Sequence, residues 1–278
     1  MSNQIHPSAI VHPKTVLGSN NEIGPNVIIE EGVKIGSGNK IWQGSFLGRG
    51  TALGDANQIH MNAVIGHEPQ DLAYKGETTF TKIGNSNVIR EFVTIHRGTK
   101  AQTATEIGDN NFFMAYAHIA HNCKVGNHVI LVNNASLTGY CEVGDRAFLS
   151  GFVGLHQFTK IGAFAIISAL SAVNKDVPPF MMCGGRPAVI QGLNVIGLRR
   201  GGFDPATRDE IKRAFKVLYR SGLNVSQALE ILEKDFQSAP VKQMVEFVKT
   251  SERGICAAQG EEEETLLSRK RSGSPDEE

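Results

Sequence analysis

From Ile5, every sixth residue is Val11, Leu17, Ile23, Ile29, Ile35, Ile41, Leu47, Leu53, Ile59 and Ile65, and the same phase returns at Ile83, Ile89 and Ile95 and again from Ile107 to Val173. Of the 29 positions in this series only Asp71, Glu77 and Ala101 are neither aliphatic nor Phe, a regularity that chance does not produce. A strict period of six is the signature of a parallel β-helix, in which three hexads close one triangular coil. Each coil advances by one strand spacing, about 4.8 Å, so residues eighteen apart become vertical neighbours. The fourth residue after each aliphatic is mostly small (Ala9, Thr15 and Asn21 early; Ala117, Cys123, Ala135, Cys141 and Ala147 later), which marks a second, tighter inward slot. Cys123 and Cys141 are read there as buried small hydrophobes, with a redox pair as the lesser alternative. A glycine often follows the aliphatic (Gly18, Gly24, Gly54, Gly108), where a turn would ask for it.

The three failures mark excursions. "HEPQDLAYKGETTF" surrounds Asp71 and Glu77, and "GTKAQTATE" surrounds Ala101. Both are polar, break the repeat and should loop out of the prism; loops on a rigid scaffold tend to carry function. Beyond Val177 the period stops. The expected organisation is a β-helix over residues 1–177, a connector over 178–203 containing "DVPPF" and "GGRP", and a small helical domain over 204–256. Its first helix starts with Asp204 as N-cap and Pro205 in the first turn and stops before Gly222; "NVSQALEILEKDF" and "PVKQMVEFVKT" give two more. Residues 257–278 are charged and poor in apolar groups, and a disordered tail is expected.

Lys+Arg and Asp+Glu both total 28, so net charge names no partner, and no nucleic acid is expected. Without the acidic stretch from Ala257, 25 bases stand against 21 acids, which permits an acidic partner. The beginning "MSNQIHPSAIVHP" has no apolar leader core, and no apolar run approaches the ~18–20 residues of a membrane span. The four cysteines form no CxxC pair, so a reducing cytoplasm is the expected compartment.

A β-helix needs aliphatics, small residues, glycine and asparagine, but not histidine. His6 and His12 read as exposed residues beside inward aliphatics, while His60 and His96 adjoin segments leading to excursions. "AYAHIAHNCKVGNH" holds three histidines, His118, His121 and His128. Ile119 opens a hexad, so His121 is its third residue, a position expected to project from a flat face. Stacking by eighteen places Gly139 and Gln157 in a column with it, about 4.8 and 9.6 Å away. With His156 and Tyr140 alongside, a base, a bare backbone and an amide share one outer surface, the parts of a site.

Five segments, "IREFVTIHRGT", "AHIAHNCKVGN", "LHQFTKIGA", "DVPPF" and "GLNVIGLRRGGF", followed by "FKVLYRSG", resemble in order the bacterial acyl-[acyl-carrier-protein]–UDP-N-acetylglucosamine O-acyltransferases, across about residues 5–255. The resemblance implies a left-handed β-helix, a homotrimer with sites between neighbouring prisms, and no cofactor. It implies transfer of a 3-hydroxyacyl chain from acyl carrier protein to the 3-hydroxyl of UDP-N-acetylglucosamine, the first step of lipid A synthesis. Residue by residue, His121 matches the general base and Gly139 the oxyanion-stabilising backbone. Gln70 and Asp71 match the sugar-binding loop. His118, His156, Gln157, Asn194 and Arg200 match positions contacting nucleotide sugar or acyl donor. Ala169, preceded by Ser168, matches the position that gauges acyl length, and its methyl leans towards a shorter chain. On the first long helix, Arg208, Lys212, Lys216 and Arg220 recur every fourth residue and face one way; the family reading makes this stripe a dock for acidic acyl carrier protein, the plain reading a solvated face.

Departures from the family pattern are Ala73 where a lysine is usual, Asn122 for an aspartate after the base, Tyr140 for a histidine after the oxyanion glycine, and Ile196 and Gly201 in the nucleotide-contacting segment. They leave open a 3-amino sugar as acceptor, giving an amide, and a non-catalytic scaffold. A different hexapeptide acyltransferase, using acetyl-CoA or the later N-acyltransferase of the same pathway, is a further alternative; the latter carries a domain before its prism, for which a repeat starting at Ile5 leaves no room. Zinc enzymes of the γ-carbonic anhydrase class share the prism but use a histidine pair five apart, a spacing none of the nine histidines here has; no metal is expected.

Overall fold

In the computed structural model, which describes residues 2–260, the hexads become very short strands. Glu22–Ile23, Ile28–Ile29 and Lys34–Ile35 make one turn of the coil; Lys40–Ile41, Phe46–Leu47 and Thr51–Leu53 make the next. The aliphatic closing each strand is buried, and the residue before it faces outward. Strands one coil apart pair in parallel, Glu22 with Lys40 and Ile23 with Ile41. Three stacks result: face A beginning at Gln4–Ile5, face B at Ile10–Val11 and face C at Val16–Leu17. The coil is left-handed, against the usual hand of connections between parallel strands.

The corners follow a rule different from the one expected. Positive φ falls three residues before an inward aliphatic, at Asn20 (60°), Asn26 (56°) and Gly32 (73°), and later at His128, Asn122 and Tyr140. Of the glycines that directly follow an inward aliphatic, Gly66 alone adopts it; the others do not. They are there because the coils stack closely: a Cβ on Gly108 would stand 2.8 Å from the carbonyl oxygen of Gly126 in the next coil. His128 is therefore a left-handed turn residue.

The tight inward slot at the corner between faces C and A is filled by asparagine. Asn21, Asn39, Asn57, Asn87 and Asn111 are buried one above another. The Asn87 side-chain oxygen accepts from the backbone N–H and the amide of Asn111, both at 2.9 Å, while its own amide donates to Asn57 Oδ1 and Gly108 O at 3.0 Å. This ladder runs straight past both excursions. Ile59 pairs with Ile89, thirty residues on, and Ile95 with Ile119, twenty-four on, so the extra residues bulge outward without shifting the register. The excursions are shorter than their sequence suggests, because Phe80–Ile83 and Ala104–Ile107 pair as four-residue strands of face C.

The connector is structured. Met181–Gly185 extends face A beside Ile166–Ile167 and turns back antiparallel through Ala188–Leu193. With Phe180 buried beneath it, this hairpin covers the end of the prism. A short helix α1, Val195–Arg200, follows; α2 (Pro205–Arg220), α3 (Val225–Asp235) and α4 (Ala239–Lys249) then pack together through Ile211, Leu218, Leu232, Met244 and Val248. Asp204 caps α2 by accepting from the Thr207 N–H at 3.0 Å, and Asn224 and Gln227 form a capping box on α3. The chain then returns to the prism: Cys256 N–H donates to Asp176 O, and Ala257 O and the Gln259 N–H both bond Ile190. Of the tail expected from Ala257, this short stretch is thus held in place, and residues 261–278 lie outside the described residues.

Replacing Asn87 by Ala strands buried partners above and below it, each costing roughly 1–3 kcal/mol. Urea unfolding of Asn87→Ala is expected to give a stability loss of about 3 kcal/mol or more with an unchanged denaturant slope.

Candidate active site

After the strand His118–Ile119 the chain leaves face B, turns through His121 and Asn122, and enters face C. The column His121, Gly139 and Gln157 therefore stands on a corner, not on a flat face, because the third residue of a hexad is already in the turn. Stacking is as expected: Tyr140 N–H donates to His121 O at 3.0 Å, and Phe158 N–H to Gly139 O at 3.1 Å. His121 is only 4% exposed. Tyr140 lies edge-on to its ring at 5.3 Å, held by a parallel stack with Phe158 at 4.9 Å.

Two groups define the imidazole. Asn122 Oδ1 lies 3.1 Å from His121 Nδ1 and also accepts the Thr99 N–H at 3.0 Å. That backbone donor fixes the amide with its oxygen towards the ring, and an oxygen can only accept. His121 thus carries its proton on Nδ1 and presents a lone pair at Nε2. On that side Asp71 Oδ2 stands 3.5 Å away, brought in by the first excursion. The Asp71 carboxylate is held by its own loop, since Oδ1 accepts the Ala73 N–H at 2.9 Å.

Gly139 fits beneath the ring because it has no side chain; a Cβ there would stand 2.6 Å from His121 Nε2. Among the described residues its N–H makes no hydrogen bond. His118, on face B, shares a 2.7 Å hydrogen bond between Nδ1 and Thr94 Oγ1. His96 meets His118 edge-on at 5.1 Å. Burial, reinforced by neighbouring imidazoles, lowers the pKa of both and takes that of His96 down to about 4, so this pair holds no charge at neutral pH.

His121, Asp71 and Gly139 thus converge. Gln70, His156 and Gln157 are exposed nearby in sequence or column, and His156 Nδ1–H donates to the Gln157 carbonyl at 3.1 Å. Ser168 and exposed Ala169 lie at the corner between faces A and B, the opposite edge of face B from His121. Asn194 caps α1, accepting the Gly197 N–H and donating to Phe164 O; Arg200 is exposed at that helix's end. No hydrogen bond or ion pair links Asn194 or Arg200 to His121, Asp71 or Gly139.

Sequence reasoning passed over Arg97, Thr99 and Phe158, treated Asn122 only as a departure, and set Tyr140 beside the column without seeing its contact with the His121 ring. Arg97 occupies the His121 position one coil earlier, a relation hidden because the second excursion makes that step twenty-four instead of eighteen. Among the described residues no group of three or more His, Cys, Asp and Glu is arranged to hold a metal ion, and no helix is long and apolar enough to cross a membrane.

A prism with a histidine at a stacked corner places the chain among bacterial hexapeptide transferases, whose repeat model matches residues 14–49 and 104–139. A second model, described as UDP-N-acetylglucosamine O-acyltransferase domain 2, matches residues 176–256. An acyl-[acyl-carrier-protein]–UDP-N-acetylglucosamine O-acyltransferase of Halorhodospira halophila is 48% identical over 254 residues, covering 91% of this chain and 98% of the relative. The enzyme of that name from Thermodesulfovibrio yellowstonii is 45% identical over 256 residues, 91% of this chain and 99% of its own. Among solved structures, a UDP-N-acetylglucosamine acyltransferase from Bacteroides fragilis superposes with a TM-score of 0.89 at 40% identity, over 91% of this chain and 99% of that one. The Francisella novicida enzyme gives 0.90 at 35% identity, over 99% and 100%. The chain belongs to the family of acyl-[acyl-carrier-protein]–UDP-N-acetylglucosamine O-acyltransferases.

Gly139→Ala forces its methyl against the imidazole, so the ring must move from Asn122 and Asp71. A displacement of this size is expected to reduce kcat about 10²-fold while the thermal unfolding midpoint changes little; activity within threefold of wild type would show that the corner tolerates a Cβ.

Proposed function

We propose that this protein transfers a 3-hydroxyacyl chain from acyl carrier protein to the 3-hydroxyl of UDP-N-acetylglucosamine, the first step of lipid A biosynthesis, with His121 as general base. The observation that carries this reading is the convergence of His121 Nε2, the Asp71 carboxylate and the Gly139 backbone at one corner of a member of this family. The acceptor hydroxyl gives its proton to Nε2 as its oxygen attacks the thioester carbonyl. The oxyanion that forms takes the Gly139 N–H, and collapse breaks the C–S bond and releases the thiol, which recovers the proton from His121. Asp71, close to Nε2, stabilises the imidazolium formed at the moment of attack and, with Gln70, holds the sugar. Asn122 keeps the ring in the required tautomer without adding charge. His118, His156 and Gln157 line the path of nucleotide sugar and acyl donor.

The assembly is a homotrimer. Outward positions of face C form a ladder of alternating charge, Lys82, Glu106, Lys124, Glu142 and Lys160, with Lys82 and Glu106 paired at 2.9 Å. Face A turns Val88, Phe112, Ile130, Phe148 and Ile166 outward in its later coils, after Gln4, Glu22, Lys40 and Gln58 in its earlier ones, and face B turns out Ile10, Ile28, Phe46 and Val64 in its earlier coils. These apolar stretches, set against the charge ladder of face C, suit faces A and B to meeting neighbouring prisms around an axis. Asn194 and Arg200, remote from the base in their own chain, then come from the neighbour, and Ser168 and Ala169 limit the acyl chain, Ala169 favouring a shorter one. Exposed Lys212, Lys216 and Arg220, with half-buried Arg208, offer acyl carrier protein a basic dock. Four free cysteines suit a reducing cytoplasm.

The test is steady-state assay of UDP-N-acetylglucosamine, and of its 3-amino analogue, with a panel of 3-hydroxyacyl carrier proteins. Ester formation is expected, with a loss of about 10²–10⁴-fold in kcat for His121→Ala. Transfer to the 3-amino sugar alone would reassign the acceptor, and no transfer to either would leave a scaffold. Analytical ultracentrifugation of Phe148→Glu is expected to show monomers in place of trimers, with the β-helix circular dichroism retained; an unchanged trimer would mean that face A is not buried between copies.

A further inference from the structure

The excursion that delivers Asp71 buries one apolar residue at its start, Pro69, and little beyond it: Leu72, beside the aspartate, is 96% exposed. Its internal hydrogen bonds are local, from Tyr74 N–H to Asp71 O, from Tyr74 OH to Glu77 O and from Lys75 Nζ to Leu72 O. Between residues 68 and 77, the hydrogen bonds that reach outside the loop all come from one side chain, Arg97. Its guanidinium is buried beside the loop and donates to Gly66 O at 3.1 Å, Glu68 Oε1 at 3.2 Å and the Tyr74 hydroxyl at 3.0 Å, with its cation over the Tyr74 ring at 5.6 Å. Its backbone N–H closes the loop's entrance by donating to His67 O at 3.1 Å.

We infer that Arg97 is the positioning residue that holds Asp71 opposite the base, a role that rests on the reading of Asp71 as the sugar-binding carboxylate. The path is short: guanidinium to Tyr74, Tyr74 to the Asp71 carbonyl, and the Asp71 carboxylate to the space beside His121 Nε2. Arginine suits the task because its planar fork spans three acceptors at once and its charge is lost at no relevant pH. It stands in the column of His121, one coil nearer the N-terminus, so base and loop anchor ride on the same corner and share one rigid frame. Glu68 offsets the buried charge at the loop's solvent side, where its own carboxylate is mostly exposed.

The test uses the whole enzyme and varies each substrate in turn, for Arg97→Met, Tyr74→Phe, Asp71→Asn and the double variant Arg97→Met with Asp71→Asn. Freeing the loop is expected to raise KM for the nucleotide sugar about tenfold or more in Arg97→Met, and by a smaller factor in Tyr74→Phe, with KM for the acyl carrier protein substrate unchanged. If Arg97 acts through Asp71, adding Arg97→Met to Asp71→Asn changes the sugar KM by less than about twofold, since the group it positions is already gone. An undiminished Arg97→Met effect in an impaired Asp71→Asn background overturns the positioning role and leaves the Asp71 reading intact. An Asp71→Asn variant with normal kinetics removes the Asp71 reading and the inference with it. Should Arg97→Met fail to fold, as judged by thermal unfolding, Tyr74→Phe decides alone: it removes one surface-loop hydroxyl, and an unaltered sugar KM would overturn the inference.

Discussion

The hydrogen bonds between strands of successive coils place everything else in this protein. The strands of the coils are only two to four residues long and have no stability alone, but between the first and last coils each is paired above and below, and the pairing fixes which residues are stacked. A catalytic corner is then a matter of register. Gly139 lies beneath the His121 ring because Ile119 pairs with Leu137 in the next coil, and the contact follows from the backbone ladder without any side chain having to seek it. The asparagine stack adds a buried polar seam that ties the backbone of each coil to the next where the small slot would otherwise be filled by methyl groups.

Much of this was legible from the amino acids. The period of six gave the prism, its three-residue failures located both excursions, and addition of eighteen set Gly139 under His121. What sequence could not give has identifiable causes. The glycines after each aliphatic look like turn residues, but they answer to the closeness of neighbouring coils, a packing fact with no sequence periodicity of its own. The corner position of His121 depends on where the strand ends, and a strand of two residues leaves no hydrophobic pattern to mark that. Asn122 becomes an acceptor for the imidazole only because the second excursion carries the Thr99 N–H to it. Asn194 and Arg200 could be proposed from likeness alone, and in a single chain they stand apart from the base.

The electrostatics of the corner are correspondingly spare. The Asp71 carboxylate faces the His121 imidazole and Arg97 holds the loop that carries it, while His96 and His118 are kept neutral by burial. A neutral amide at Nδ1 orients the ring and, in the proposed mechanism, leaves the transition-state charge to be met from the Nε2 side. That mechanism separates two duties that a single carboxylate behind the ring would combine: Asn122 would select the tautomer, and Asp71 would supply the field.

The left-handed turn residues have one more consequence. At these positions the scaffold demands a backbone angle and little else: Asn122, Tyr140 and Phe158 follow one another down a single corner with φ between 60° and 65°, three unlike side chains on one trace. Two of them, Asn122 and Tyr140, touch the imidazole. The residues that adjust the base therefore occupy sites where the fold accepts almost any side chain, one step from Gly139, where it accepts none. Single substitutions can drift there and change the surroundings of the imidazole while the coils and the loop stay as they are.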